Sequence, residues 1–129
     1  MDVTIACRDT TPLYLPLRIE QGETLVLPLH VVDADALDVD ITGYTFAAQI
    51  RRKPSSTVIA ATLTFAITVA ASGLMQFSLT AVQTAAIACG DTDTEPASLY
   101  YWDAFATSPG SKVTKLAYGE ITMVAQVTR

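Results

Sequence analysis

Charge and reactive side chains are scarce in this chain of 129 residues. Only 16% of the residues are charged, against roughly 25% in an average soluble domain. The single histidine, His30, lies in a leucine-rich stretch with no serine or cysteine nucleophile beside it. Glycine-rich phosphate loops and Gly-x-Ser-x-Gly turns are absent from the sequence. We therefore expect no catalytic residues and no enzymatic activity, with His30 as a surface or packing side chain.

Cysteine is almost as rare. Cys7 and Cys89 are the only two, and neither has a second ligand at the short spacing that metal sites use. Two buried free thiols are the default expectation for such residues, and a disulfide between them stays open. Oxygen ligands for calcium are conceivable in two acidic stretches, around Asp33 to Asp40 and Asp91 to Glu95. Neither stretch has the glycine and closing glutamate of an EF-hand, so we expect solvated turns, no metal and no cofactor.

Positive charge is also limited. The net charge is −5, and the only basic run is Arg51-Arg52-Lys53, next to Pro54. Binding to phosphate backbones favours the opposite sign, so we expect no nucleic-acid partner. The run is better explained as a solvated strand end.

Long apolar segments that would suggest a membrane are confined to residues 58–75. Within them, larger apolar side chains such as Ile59, Leu63, Phe65 and Ile67 alternate with threonine and alanine. A strand separates such positions onto two faces, whereas a helix scatters them. The segment is predicted to be one long strand or two strands joined by a bend. No basic start followed by an apolar run suggests a leader, so no membrane partner is expected.

Alternation is what the sequence has in abundance. Period-2 patterns bounded by turn residues predict about seven strands, and Thr80 is a candidate N-cap for a short helix over 80–88. Gly119 is expected at a bulge or a close approach of two backbones. We predict an irregular N-terminal arm over 1–12 and an all-β domain over 13–129, an antiparallel sandwich or small barrel. The strands are predicted at 13–21, 24–32, 44–52, 58–71, 74–79, 98–108 and 112–127.

Half of the residues are hydrophobic, which is a large share for so small a core and favours an oligomer or an assembly. Aromatic residues cluster at Tyr100, Tyr101, Trp102 and Phe105. Tyr101 and Phe105 share one face of their strand, and Tyr100 and Trp102 share the other. One face is expected in the core, and the other either joins a second packed layer or anchors an interface, where tyrosine and tryptophan are enriched. As interface residues we select Tyr100 and Trp102 together with two prolines of the N-terminal segment, Pro12 and Pro16, of which Pro16 suggests an edge strand.

Six short motifs occur in an order that resembles a family of bacteriophage tail and baseplate structural proteins, of the upper-baseplate or fibre-anchoring adaptor type. They are Ile-Glu-Gln-Gly-Glu-Thr at 19–24, Ile-Thr-Gly-Tyr-Thr-Phe at 41–46, Leu-Thr-Ala-Val-Gln-Thr at 79–84, Tyr-Trp-Asp at 101–103, Gly-Glu-Ile at 119–121 and Val-Thr-Arg at 127–129. The resemblance implies an immunoglobulin-like β-sandwich that oligomerises and holds other particle proteins together. Members of this family carry no catalytic residues, so none are transferred.

The expected function is accordingly that of a virion protein, a baseplate component or tail-fibre adaptor made in the host cytoplasm. Its expected partners are other phage structural proteins (baseplate, tail or fibre subunits) and further copies of itself. A capsid decoration or head-fibre protein is the alternative within the same class. A receptor- or carbohydrate-binding module that uses Tyr100 or Trp102 is the alternative from another class.

Overall fold

A computed structural model describes residues 5–8, 12–55, 57–87 and 97–125 of the chain. The expectation of an all-β fold is confirmed: the described residues form nine strands, one short α-helix (α1) and a single 3₁₀ turn over Ala70–Ser72. No helix in this part of the chain is long and apolar enough to cross a membrane. The elements are β1 (Ile5–Arg8), β2 (Leu13–Tyr14), β3 (Leu17–Glu20), β4 (Leu25–Val32), β5 (Thr45–Arg51), β6 (Ala61–Val69), β7 (Leu74–Leu79), α1 (Ala81–Ala85), β8 (Ala97–Thr107) and β9 (Val113–Val124).

The strands join into one sheet that curls into a half-barrel, in the order β1-β4-β7-β6-β5-β8-β9-β2, with β3 also on β9. The sheet turns its corner in β6. Residues 61–63 pair with β5, and residues 64–69 pair with β7. One strand therefore belongs to both halves of the sheet.

The core lies inside the curl, where alternate residues from both halves meet. The exposures in β7 alternate between half-buried and buried along the whole strand, as the period-2 pattern predicts. Burial of a large apolar side chain stabilises a fold by roughly 1.5–3 kcal/mol. The largest fully buried side chains are Phe77, Ile19, Leu29, Ile41, Ile50, Met75, Leu79, Ile87, Leu116, Ile121, Met123 and Val31.

The helix α1 is tied to the sheet by a buried threonine. Thr80 caps the helix in a capping box with Gln83, as the sequence predicted for Thr80, although the helix is shorter than expected. Thr84 is fully buried, and its hydroxyl donates to the Glu23 carbonyl at 2.7 Å and accepts from the Gly22 amide at 3.1 Å. The helix therefore fastens the turn between β3 and β4.

Two predictions for the N-terminal segment need correction. Residues 1–12 were expected to be irregular, but Ile5–Arg8 forms β1 and pairs in parallel with Leu29–Val32 of β4. An unpaired edge of β4 offers backbone hydrogen bonds to this segment, and that long-range partner cannot be seen in the local pattern. The strand predicted over 13–21 is split into β2 and β3 at Leu15 and Pro16, because proline has no backbone N–H for the ladder.

Candidate interaction surfaces

Trp102 connects the core to an edge of the sheet. The side chains of Tyr100 and Trp102 are 6% and 3% exposed, on the inward face of β8. The indole Nε1–H of Trp102 donates to the Leu15 carbonyl at 2.9 Å. Of the two arrangements that the sequence left open for this face, the structure shows the core. The proposed interface role of Tyr100 and Trp102 stays a prediction, and their burial gives it no support.

Gly119 on β9 also contributes to the contact between Leu15 and the sheet. A Cβ atom at Gly119 would lie 2.4 Å from the Leu15 carbonyl oxygen, so only glycine lets the two backbones approach this closely. The Leu15 amide donates to the Tyr118 carbonyl at 2.8 Å. Three features therefore hold the link between β2 and β3 against the rest of the sheet. The Leu15 carbonyl accepts from Trp102, the Leu15 amide donates to Tyr118, and Gly119 has no side chain that would keep the backbones apart.

We call β2, β3 and the Leu15-Pro16 link the locked edge. Pro16 is exposed within the locked edge and Pro12 is exposed directly before it, as an edge position allows. Contact of these two prolines with a partner stays a prediction. The charged side chains of Arg18 and Glu20 pair at 3.5 Å along β3. Short strands, prolines and charges are the features by which proteins prevent an edge from pairing with another chain.

Residues 64–69 of β6 form the opposite case, which we call the open edge. They pair with β7 on one side, and on the other side no strand among the described residues pairs with them, because the pairing of β5 with β6 ends at Ala48 and Leu63. The nine residues of β6 include no charge and no proline. Two large apolar side chains remain exposed here, Phe65 at 36% and Val69 at 47%.

The aromatic cluster behind the open edge belongs to the core. Phe46 on β5 is 5% exposed, and its ring centroid lies 5.7 Å from that of Phe65 and 6.4 Å from that of Phe77, both in edge-to-face arrangements. The ring of Tyr44 stacks on Phe46 at 6.2 Å. Phe65 therefore has one side on packed aromatic rings and the other side in solvent.

A third surface lies on the convex face of β2, β5, β8 and β9, where a β-bulge arranges the side chains. The pairing of β8 with β9 shifts register between Ala104 and Phe105, so that neighbouring Leu116 and Ala117 both point inward. The flanking residues Lys115 and Tyr118 therefore lie on the same outer face, with the Lys115 ammonium 5.0 Å from the centre of the Tyr118 ring.

A cleft of about 340 Å³ opens on this face, and we call it the tyrosine cleft. The Tyr14 and Tyr118 rings lie 5.6 Å apart at one end, and the Tyr14 hydroxyl donates to the Glu120 carboxylate. That hydrogen bond raises the pKa of the Tyr14 phenol above its usual value. The residues that carry the cleft's chemistry are Tyr14, Arg51, Tyr101, Asp103, Lys115, Tyr118 and Glu120.

The acidic loop after β4 uses its carboxylates locally. The Asp33 Oδ1 accepts from the amides of Asp35 and Leu37, while Asp38 pairs with the His30 ring at 2.8 Å. Hydrogen bonds from the hydroxyl and then the amide of Thr42 lower the pKa of Asp40. No group of three potential metal ligands occurs in the described ranges. Cys89 and the second acidic stretch, 91–95, lie outside those ranges.

Comparisons with known proteins identify no family. No family model matches the chain, and no curated protein matches it. Among solved structures, it is similar to the bradyzoite-specific antigen BSR4 from Toxoplasma gondii, with 12% identity and a TM-score of 0.34. The match covers 98% of this chain and 50% of that one, so the chain spans about half its length. A likeness this distant carries no argument about function.

Proposed function

We propose that the chain is a non-enzymatic virion protein, a component of a phage baseplate or a tail-fibre adaptor, that assembles through its open edge. The observation that carries this proposal is the uncharged, proline-free stretch at residues 64–69, whose far side pairs with no strand in the described part of the chain. The order of the six sequence motifs supports the phage assignment. The capsid decoration protein remains the alternative, because the same edge would serve it.

We further propose that the fold is an immunoglobulin-like sandwich. In this interpretation, one layer holds β4, β7 and most of β6, and the other holds β5, β8 and β9, with β3 in parallel beside β9. Such sandwiches divide seven or more strands between two facing sheets. Contacts of Phe46 across the layers to Phe65 and Phe77 support this arrangement.

The occupant that we assign to the open edge is the same edge of a second copy. Two copies of a chain with a net charge of −5 repel each other over most of their surfaces. At residues 64–69 there is no charge to oppose contact, and a two-fold axis would pair the strand with itself. Each backbone hydrogen bond gained would contribute about 0.5–1.5 kcal/mol, and the exposed sides of Phe65 and Val69 would be covered. Other particle proteins would then attach to the oligomer.

Lack of enzymatic activity is part of the proposal. His30, the sole histidine, is used in the surface pair with Asp38. Sugar binding through Trp102, the alternative from another class, is not favoured, because a side chain 3% exposed cannot present its ring to a ligand.

Incorporation into particles tests the proposal. Phage particles would be produced with the wild-type chain, with Ala66→Lys on the open edge, or with Thr62→Lys, and their separated heads and tails analysed by mass spectrometry. Thr62 is the matched control, because it is an exposed residue of the same strand in the part already paired with β5. We expect wild type and Thr62→Lys in tails, and Ala66→Lys in neither fraction, because a lysine blocks edge pairing.

Three results would count against it. Recovery in heads would replace the tail assignment with capsid decoration. Absence of the wild-type chain from both fractions would reject a virion role. Equal incorporation of Ala66→Lys would reject the open edge as the assembly surface.

A further inference from the structure

The tyrosine cleft has no part in the proposed assembly, since it lies on the convex face of β2, β5, β8 and β9. Its volume of about 340 Å³ is at the lower end of the range for small-ligand sites. Such sites combine aromatic walls with a few placed polar groups. The tyrosine cleft has this composition, with the rings of Tyr14, Tyr101 and Tyr118 among charged side chains.

Contacts within the protein hold several of these groups in place. The Tyr118 ring lies 5.6 Å from the Tyr14 ring, and the Lys115 ammonium lies over it, 5.0 Å from its centre. Lys115 also lies 5.9 Å from the centre of the Phe105 ring. The Arg51 guanidinium donates to the Gln49 side chain at 2.9 Å. A ligand would therefore meet side chains that are already ordered, which lowers the entropic cost of binding.

Two polar groups in the cleft are left for a ligand. The Asp103 carboxylate and the Tyr101 hydroxyl make no hydrogen bond or ion pair within the described part of the chain. Both are half-buried on the outer face of β8, next to each other on the same side of the strand. Together they offer one strong acceptor and one group that both donates and accepts.

The charges of the cleft narrow the choice of ligand. Arg51 and Lys115 balance Asp103 and Glu120, so the cleft does not select strongly for an anion or a cation. An apolar ligand would take the four charged groups out of water without replacing their hydrogen bonds, which is costly. A neutral ring that carries several hydroxyl groups can instead pair with carboxylates and cations alike, while its apolar face rests on a tyrosine ring.

We propose that the tyrosine cleft binds a neutral sugar residue of a glycan. Tyr101 supplies the stacking surface, and Asp103 accepts hydrogen bonds from neighbouring hydroxyl groups of the sugar. Lys115 and Arg51 donate to its remaining oxygens. Trp102 also lines the cleft, but it is only 3% exposed, so the sugar would rest on Tyr101 and not on the indole. The site adds a ligand to a protein whose assembly would use the open edge.

The test is a titration of the full-length, ¹⁵N-labelled chain with the methyl glycosides of glucose, galactose, mannose and N-acetylglucosamine, followed by NMR. We expect at least one glycoside to shift the backbone amides of Tyr101, Asp103, Tyr118 and Glu120 in a saturable manner. Tyr101→Ala and Asp103→Asn should each weaken the affinity by about tenfold or more, the equivalent of about 1.4 kcal/mol. Asp35→Asn is the matched control, an exposed carboxylate in the loop after β4, and should bind as the wild type does.

The proposal is overturned if no glycoside of the panel shifts these amides, or if the shifts map to another surface. It is also overturned if a neutral blocked peptide such as acetyl-Gly-Ser-Gly-amide shifts them and the glycosides do not, since the cleft would then hold a protein segment. The Ala66→Lys variant separates the two proposals, because it should lose assembly and keep sugar binding.

Discussion

The locked edge and the open edge are both margins of one curled sheet, but they are built in opposite ways. The locked edge is short and kinked at Pro16, and it is charged at Arg18 and Glu20. Residues 64–69 are uncharged and free of proline, and their pairing with β7 shifts register once, between Ile67 and Val69. Natural sheets normally guard their edges against pairing with other chains.

The difference between the two edges indicates which of them could pair with another subunit. The locked edge is fixed to the core, because the Trp102 indole donates to the Leu15 carbonyl and Gly119 leaves space for that carbonyl. At the open edge, Phe46 is buried beneath the strand and Phe65 is partly exposed beside it. We infer that the locked edge packs only within its own domain and that the open edge pairs with another subunit.

The largest expected loss of stability follows from substitution of Phe46, the buried ring behind the open edge. Phe46→Ala should lower the free energy of unfolding by about 4 kcal/mol, because it leaves a cavity between three aromatic neighbours. Phe65→Ala should cost less, about 1–2 kcal/mol, since 36% of that residue is already exposed to water. Urea unfolding measures both. Equal losses would show that Phe65 is core and that the edge is not open.

Next in size is the close approach at the locked edge. Gly119→Ala should cost about 3 kcal/mol, because its Cβ would meet the Leu15 carbonyl oxygen at 2.4 Å and push β2 from β9. Gly110→Ala is the matched control, where the nearest atom would be the Ser108 Oγ at 3.8 Å, and it should change stability by less than about 0.5 kcal/mol. If both variants unfold at the same urea concentration, the edge is not locked by Gly119.

Trp102→Phe is expected to cost about 2 kcal/mol, because it retains most of the ring but leaves the Leu15 carbonyl without its donor. The loss should be local as well as global. Amide exchange of Leu15, which donates to the Tyr118 carbonyl, should speed up more than that of Phe77 in β7. A uniform change across the sheet would mean that the indole is only a packing group.

The smallest effect concerns Tyr14 at the end of the locked edge. Because its hydrogen bond to Glu120 raises the phenol pKa above 10.0, the folded state holds this proton more tightly than the unfolded state. The stabilisation is therefore present at neutral pH and is lost as the pH rises through the raised value. Wild type should be slightly more stable than Tyr14→Phe at pH 7 and should lose that margin above about pH 10. A margin that grows with pH would contradict the assignment.

The sequence was sufficient for elements whose pattern is local. Alternation located β7 at the predicted bounds, Thr80 capped α1, and Gly119 was expected at a close approach, which the Leu15 contact confirms. Pro16 pointed to an edge because its missing N–H acts within its own strand. In each case the physical cause is contained in a few neighbouring residues.

The features that the sequence did not predict depend on contacts between residues far apart in the chain. The sequence could not tell which face of β8 is core, because both faces carry aromatics, and the hydrogen bond that anchors Trp102 spans 87 positions. The exposed rim at Phe65 arises only because β5 diverges from β6. The tyrosine cleft depends on a bulge whose one local sign was the adjacent apolar pair Leu116-Ala117 between Lys115 and Tyr118. The missing charge in β6 was visible in the sequence, but its position on an unpaired edge was not.

Hydrogen exchange measured by mass spectrometry, on the free chain and on the chain within assembled particles, tests the central claim most directly. The account predicts that peptides covering residues 61–69 gain strong protection on assembly, while peptides covering residues 13–20 change little because that edge is already locked. Unchanged exchange in residues 61–69, with new protection confined to residues 13–20, would contradict this claim. The locked edge would then be the interface.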